Sequence, residues 1–339
     1  MDRLCCINRM TRQDPRSQAG LRGDKPAARI DRPFATIQLM SAADVVKLVL
    51  LSAIWGGSFI FLRVAVPEFG PVLTAFLRTA LAAAVLYGFA RATGVRLHWR
   101  ENVKPYAAVG LCAVAIPFCA FSFAALHLPA AHMAVLNSTA PLFGALLSVI
   151  WLSERLTLRK LAGLMLGVVG VAILVGAGAL ELGVSTLLAS AACLVGSSAY
   201  AVSSIVVKKT GRPGGIHPIA MAAASLIAGG IILAPAAPLA VPAELPSALA
   251  FACVLGMAVL SSGLAQALFI PLIVKVGPTR AMSASFLIPL FSMLWGALFL
   301  DERVGPSTLV GAMVVLLAMA LVLTAPRSEA VAVLDERTR

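Results

Sequence analysis

Residues 137–163 read NSTAPLFGALLSVIWLSERLTLRKLAG, and residues 285–311 read SFLIPLFSMLWGALFLDERVGPSTLVG. Laid over each other at an offset of 148 residues, the two stretches align without a gap and agree at nine of 27 positions. Shared leucine is cheap in so apolar a chain. The pairs Pro141/Pro289, Phe143/Phe291, Glu154/Glu302, Arg155/Arg303 and Gly163/Gly311 are not. Each copy carries an apolar run into a Glu-Arg pair and on into a second apolar run. Pro129 and Pro278 add a match one residue out of register. The chain therefore contains an internal repeat.

The rest of the sequence extends that repeat. A bilayer core takes about 20 apolar residues per helix. Ten such spans are predicted, at 45–66, 71–90, 104–125, 129–152, 159–178, 184–207, 217–239, 246–274, 278–300 and 305–324. Turn formers such as Pro67, Pro71, Gly94, Pro129, Pro213, Gly214, Gly277, Gly305 and Pro306 punctuate the connections. The repeat unit holds five spans, an odd number, so the second copy enters the membrane from the opposite side. The expected fold is an all-α membrane protein of ten transmembrane helices in two inverted five-helix repeats, 44–178 and 184–325. Residues 1–43 and 326–339 are expected to be tails.

Composition agrees. Of 339 residues, 60% are hydrophobic and 12% charged, against about 45–50% and about 25% in soluble domains. Mean hydropathy is +0.94. A cytosolic enzyme, a disordered protein and a secreted disulfide scaffold are excluded. The net charge of +12 would suggest nucleic acid in a soluble protein. Here the basic residues border apolar spans, so no nucleic-acid partner is expected. With the N-terminus in the cytoplasm, 24 of the 27 Lys and Arg fall on the cytoplasmic side, and only Arg63, Arg78 and Arg303 do not. A multi-pass protein of the cell membrane with both termini cytoplasmic follows. Residues 1–40 are Arg-rich and lack the apolar run of a signal peptide. They read as a disordered tail, with Met40 as an alternative start of translation.

At this point the chain resembles the EamA-type transporters of the drug/metabolite transporter superfamily. The resemblance rests on Ala140-Pro141-Leu142-Phe143 with Leu152-Ser153-Glu154-Arg155-Leu156 and Gly163, and on the weaker copy at 288–305. Trp55-Gly56-Gly57-Ser58-Phe59 and Phe76-Leu77-Arg78 add to it. It spans residues 44–325 and implies a metabolite carrier, more often an exporter than an importer, with a central cavity lined by both halves. The second copy departs from the pattern where Ser307-Thr308 replaces Arg159-Lys160, which suits an outer location.

Candidate site residues follow from the same repeat. Proline lacks an N–H, so the carbonyl four residues earlier loses its helical partner. Pro141 would free the carbonyl of Asn137, and Pro289 that of Ser285, at matched depths near mid-membrane. The alternative is a locally satisfied kink. Trp55 and Tyr200 could flank a solute or simply pack. Ser262 and Gln266 lie one helical turn apart and share a face; Gln266 needs a polar partner. Phe118 and Phe121 read as core or lining. Arg78 and Arg63 lie inside spans, where arginine is expensive and is paired or functional. Glu68 is the expected partner, in a clamp across the first hairpin; a substrate carboxylate on Arg78 is the sharper alternative. Glu154, Arg155, Glu302 and Arg303 mark span ends and read as structural or gating.

No Asp or Glu falls at mid-span, so a buried carboxylate proton relay lacks its residues. There is no Walker A motif. Six dispersed cysteines and His98, His127, His132 and His217 form no ligand spacing, so no metal or cofactor is expected. An intramembrane enzyme would need a dyad or cluster that the sequence lacks, and a receptor or non-transporting subunit would need large soluble segments. The expected partners are a small organic solute, an amino acid or a related metabolite, and the lipid bilayer. Oligomeric state is left open. Gly163-x-x-x-Gly167 is expected to pack helices within the chain.

Overall fold

The computed structural model describes residues 41–152, 157–176, 183–210, 215–265, 268–269, 272 and 284–323. Glu154, Arg155, Gln266, residues 1–40 and residues 324–339 fall outside these residues. Ser285 lies on a described helix, but its side chain is outside the description.

The described residues form an all-α membrane protein without strands. The helices are α1 (Ala42–Phe69), α2 (Pro71–Ala92), α3 (Trp99–Ala125), α4 (Ala130–Asn137, resuming as Ala140–Leu152), α5 (Leu158–Gly176) and α6 (Val184–Thr210). They continue as α7 (Pro218–Leu233), α8 (Ala248–Leu264), α9 (Ala284–Phe299) and α10 (Pro306–Leu323). Ala42–Phe69, Pro71–Ala92, Trp99–Ala125, Ala130–Trp151 and Val184–Val207 are long and apolar enough to cross a membrane. Pro218–Leu233, Ala248–Leu264, Leu287–Phe299 and Pro306–Val322 are shorter and also apolar. Met165, Val168, Ile231 and Phe299 are exposed on these helices, as a lipid-facing surface requires.

Local chemistry sets the helix ends. Ser41 and Asp44 close a capping box on α1. Gly70, at φ 74°, turns the chain into Pro71 at the first position of α2. Ser247 caps α8, its hydroxyl accepting the Ala250 N–H at 3.2 Å. The seventh helix is shorter than its apolar run implied. It stops at Leu233, and a short 3₁₀ turn follows at Pro238–Ala240, because Pro235 and Pro238 cannot continue a helix.

Two features had no sequence signal. α3 winds as a π-helix over Gly110–Ala115, and α8 does so over Met257–Leu264. Shifted by the same 148 residues, Gly110–Ala115 falls at 258–263, inside the second wide turn. Such turns recur at functional sites.

Helix packing follows couples related by a step of five. α1 packs on α9 and α6 on α4; α3 packs on α6 and α8 on α1; α3 packs on α7 and α8 on α2. α2 packs on α7, α4 on α9 and α5 on α10. The α5–α10 contact is close enough to need glycine. A Cβ at Gly163 would stand 2.6 Å from Val322 Cγ2, and one at Gly311 would stand 3.0 Å from the Leu174 backbone N. Gly163 and Gly311 differ by 148, and so do Leu174 and Val322. Gly167 meets Leu142 of α4, so this glycine pair packs within the chain. Gly163→Leu should lower stability by about 1–3 kcal/mol, the usual cost of overpacking. A thermal melt of purified protein checks this, and an unchanged melting temperature would contradict the contact.

Candidate functional site

α2 carries polar residues that its own backbone satisfies, and one that it does not. The Thr74 and Thr79 hydroxyls donate to the carbonyls of Gly70 and Ala75, one turn back, at 2.7 and 2.6 Å. Arg78 is too long for that. Its guanidinium carbon stands 4.0 Å from the centroid of the Phe118 ring on α3, a cation–π contact worth about 2 kcal/mol when desolvated. Arg78 Nε is buried and finds no hydrogen-bond partner among the described residues. By residue count Arg78 lies about 10 Å along α2 from its first residue.

Phe118 and Phe121 sit one turn apart, just beyond the wide turn of α3. Phe121 stacks on Tyr200 of α6, centroids 6.3 Å apart and planes at 22°. Phe59 of α1 meets Phe121 edge-on at 5.8 Å. α6 comes this close because Gly196 lies one turn before Tyr200; a Cβ there would stand 3.0 Å from the Phe121 ring. Tyr200 is half-buried. α1, α2, α3 and α6 thus converge on one cation–aromatic cluster.

The other sequence candidates fall around it. Trp55 packs against the same core as Tyr200, but its indole N–H donates to the Ser261 carbonyl in the wide turn of α8, at 3.1 Å. Its ring meets Phe269 edge-on at 5.1 Å. Its polar end therefore fastens α1 to α8. Ser262, beside that carbonyl, is buried. Trp295 fastens α9 to α1 in the same manner, donating to the Ala53 carbonyl at 3.1 Å.

α4 breaks at Ser138–Thr139, just before Pro141, and Asn137 is half-buried at the end of its first segment. Pro289 lies inside the unbroken α9. One residue before Asn137 and one before Ser285, a carbonyl receives a side chain from another helix. Ser197 of α6 donates to the Leu136 carbonyl at 3.0 Å, and Ser52 of α1 donates to the Ala284 carbonyl at 3.0 Å. Leu136 and Ala284 are again 148 apart.

The charges at the helix ends correct the expected clamp. Glu68 does not pair with Arg63 or Arg78; both its oxygens accept from the backbone N–H and hydroxyl of Ser247, at the start of α8. Arg63 reaches across the fold to Glu302, Nε to Oε1 at 3.2 Å, and donates from Nη1 to the Ala125 carbonyl at 2.7 Å. Glu302 also accepts the Ala130 N–H at 3.0 and 3.2 Å, a carboxylate at a helix N-terminus. Arg303 is exposed.

Sequence reasoning passed over His132. It is buried on α4, with Nε2 3.5 Å from Thr308 Oγ1 of α10 and Nδ1 without a partner among the described residues. Nor did it single out Ser122 or Ser292, whose buried hydroxyls have no partner there either. A cleft of about 670 Å³ opens elsewhere, between Arg96, Leu97, His98, Glu101 and Tyr106 on one side and Ile216 and His217 on the other. It lies at the opposite ends of α2 and α3 from Arg78. Among the described residues no group of three His, Cys, Asp or Glu could hold a metal ion.

The EamA-like transporter family model matches twice, at residues 45–176 and 187–324. Protein PecM of Dickeya dadantii is 26% identical over 270 residues, covering 79% of this chain and 88% of its own. The uncharacterized transporter YvbV of Bacillus subtilis is 25% identical over 301 residues, 86% and 95% of the two chains. A protein of Streptantibioticus cattleyicolor, named a probable terminal-alkyne amino-acid exporter, is 24% identical over 268 residues, 78% and 88%. One crystal structure shares the fold at a TM-score of 0.58 and 18% identity, over 83% of this chain and 96% of that one.

Proposed function

The chain belongs to the EamA-like transporter family, and from that premise we propose that it carries a small organic solute, an amino acid or a related metabolite, out of the cell by alternating access. It is a membrane transporter and not an enzyme. The two working halves are 44–178 and 184–325, inverted with respect to each other, with both termini in the cytoplasm; the two matched segments, 45–176 and 187–324, support that division. The solute binds between them.

The observation that carries this reading is the cluster of Arg78, Phe118, Phe121 and Tyr200. It joins a charge to aromatic faces well inside the helices, and its side chains come from α2 and α3 on one side and α6 on the other. Asn137 lies the same number of residues into α4 as Arg78 into α2. With Trp55, Ser262, Gln266 and Ser285 they make up the lining. The couples of helix contacts related by a step of five support the two-half arrangement. Access alternates as one half rocks against the other, and the Arg63–Glu302 contact closes one mouth.

The solute is found by unbiased metabolite comparison of a deletion strain with an overexpressing strain. An exported solute should accumulate inside the deletion strain and outside the overexpressor. No reciprocal change in any solute would count against export. Topology is checked with reporter fusions after Lys209 and Glu244, which should report opposite sides; the same side from both would rule out the inverted halves.

A further inference from the structure

Arg78 presents a charge that no described residue matches. Arginine does not shed its proton in proteins, so the charge stays, in a helix that runs through the apolar part of the fold. Phe118 covers one face of the guanidinium at 4.0 Å, and Nε is closed off without a partner among the described residues. The described carboxylates are all spoken for or distant. Asp44 caps α1, Glu68 holds Ser247, Glu302 holds Arg63, Glu101 stands 3.9 Å from His98, and Glu244 and Asp301 are exposed. An uncompensated cation at such depth marks a ligand site more often than a structural one.

We propose that Arg78 binds a carboxylate on the transported solute, with Phe118, Phe121 and Tyr200 holding the solute's apolar or aromatic body. The proposal rests on the transporter reading above and narrows its substrate to organic acids, amino acids among them. The chemistry matches. A ring covers the flat face of the guanidinium and leaves its N–H edge for two parallel bonds to two carboxylate oxygens. The phenol of Tyr200, whose ring stacks on Phe121, can add a further donor. A single guanidinium suits one negative charge, and the other arginine expected inside a span, Arg63, is already taken by Glu302. The Phe121–Tyr200 stack favours a flat or bulky apolar group over a small hydrophilic acid.

The test uses the purified full chain in nanodiscs. The probes are benzoate, 3-phenylpropanoate, L-phenylalanine and L-leucine, each paired with its carboxamide, and binding is read by calorimetry. At least one acid should bind about tenfold or more tighter than its amide, the size expected of hydrogen bonds to a charged group. Arg78→Gln should erase that preference, and Arg78→Lys, a point charge without the fork, should keep part of it. If no acid binds more tightly than its amide, the carboxylate site is wrong; that comparison is made on wild-type protein and needs no variant to fold. A preference that survives in Arg78→Gln overturns it equally. Flux of the same compounds in proteoliposomes separates the two readings. Amides moved as fast as acids would sink the carboxylate site and leave the transporter standing, whereas acids bound but never moved would do the reverse.

Discussion

Glu302→Ala should reduce transport at least about tenfold while the protein still reaches the membrane. Glu302 accepts the Ala130 N–H at the start of α4 and the Arg63 Nε of α1, and Arg63 in turn donates to the last carbonyl of α3. One carboxylate thus ties together α1, the α3–α4 connection and the segment before α10. Hydrogen bonds to charged groups are worth about 1.5–3 kcal/mol each. The Arg63 side chain is 32% exposed, so water recovers part of the loss, and a total of about 2–3 kcal/mol is reasonable. That is enough to shift the balance between a closed and an open mouth by tenfold or more. Glu302→Gln keeps an acceptor for Ala130 and should be milder. Adding Arg63→Ala to Glu302→Ala should cost little more, because both sides of one contact are then gone. Opening of the mouth can be read as thiol labelling of Leu128→Cys, a position only 1% exposed. If labelling and transport in Glu302→Ala match the parent, the contact is not a gate.

The second large effect is expected at Asn137→Leu. The replacement is nearly isosteric, so folding and insertion should persist. Transport should fall about tenfold or more, the equivalent of about 1–3 kcal/mol for a hydrogen bond lost in a dry site. Ser285→Ala should do less, since it removes a smaller group and leaves the backbone carbonyl in place. Both are measured as flux per molecule of purified protein in proteoliposomes. Wild-type flux and binding in Asn137→Leu would remove Asn137 from the lining and leave the transporter reading untouched.

The helices could be read from the sequence because an apolar run of membrane length has few alternatives, and α1 to α4 and α6 match their predicted runs closely. The Gly163–Gly311 correspondence could also be read, and it proved to describe a physical contact between α5 and α10. The ion pairs could not. Glu68 and Arg63 are five residues apart, whereas Arg63 and Glu302 are 239 apart, and nothing in a sequence announces that two distant helix ends meet. Nor does a proline announce the Ser197 and Ser52 hydroxyls, which arrive from other helices and donate to the carbonyls of Leu136 and Ala284. The wide turns of α3 and α8 have no composition of their own: Gly110-Leu-Cys-Ala-Val-Ala115 reads as ordinary helix. Arg78 was visible as an oddity, but only the fold shows that Phe118 covers it and that no described carboxylate does.

A π turn stores one surplus residue, and a surplus can be handed along. When such a bulge migrates by one position, a single peptide exchanges its hydrogen-bond partner, and the residue it passes swings by about 100° around the helix axis. The bulge of α3 ends at Ala115, three residues before Phe118. Three steps toward the C-terminus, one of them past Pro117, which has no N–H to exchange, would turn Phe118 off the guanidinium, uncovering it without melting a helix or breaking the Arg63–Glu302 contact. α3 would then act as a ratchet whose pawl is one extra amino acid, with its counterpart in α8 beneath the Trp55 anchor. Faster amide exchange over residues 110–116 and at Phe118 than in the rest of α3 is the expected mark of that motion; uniform protection along the helix would mean the bulge is fixed.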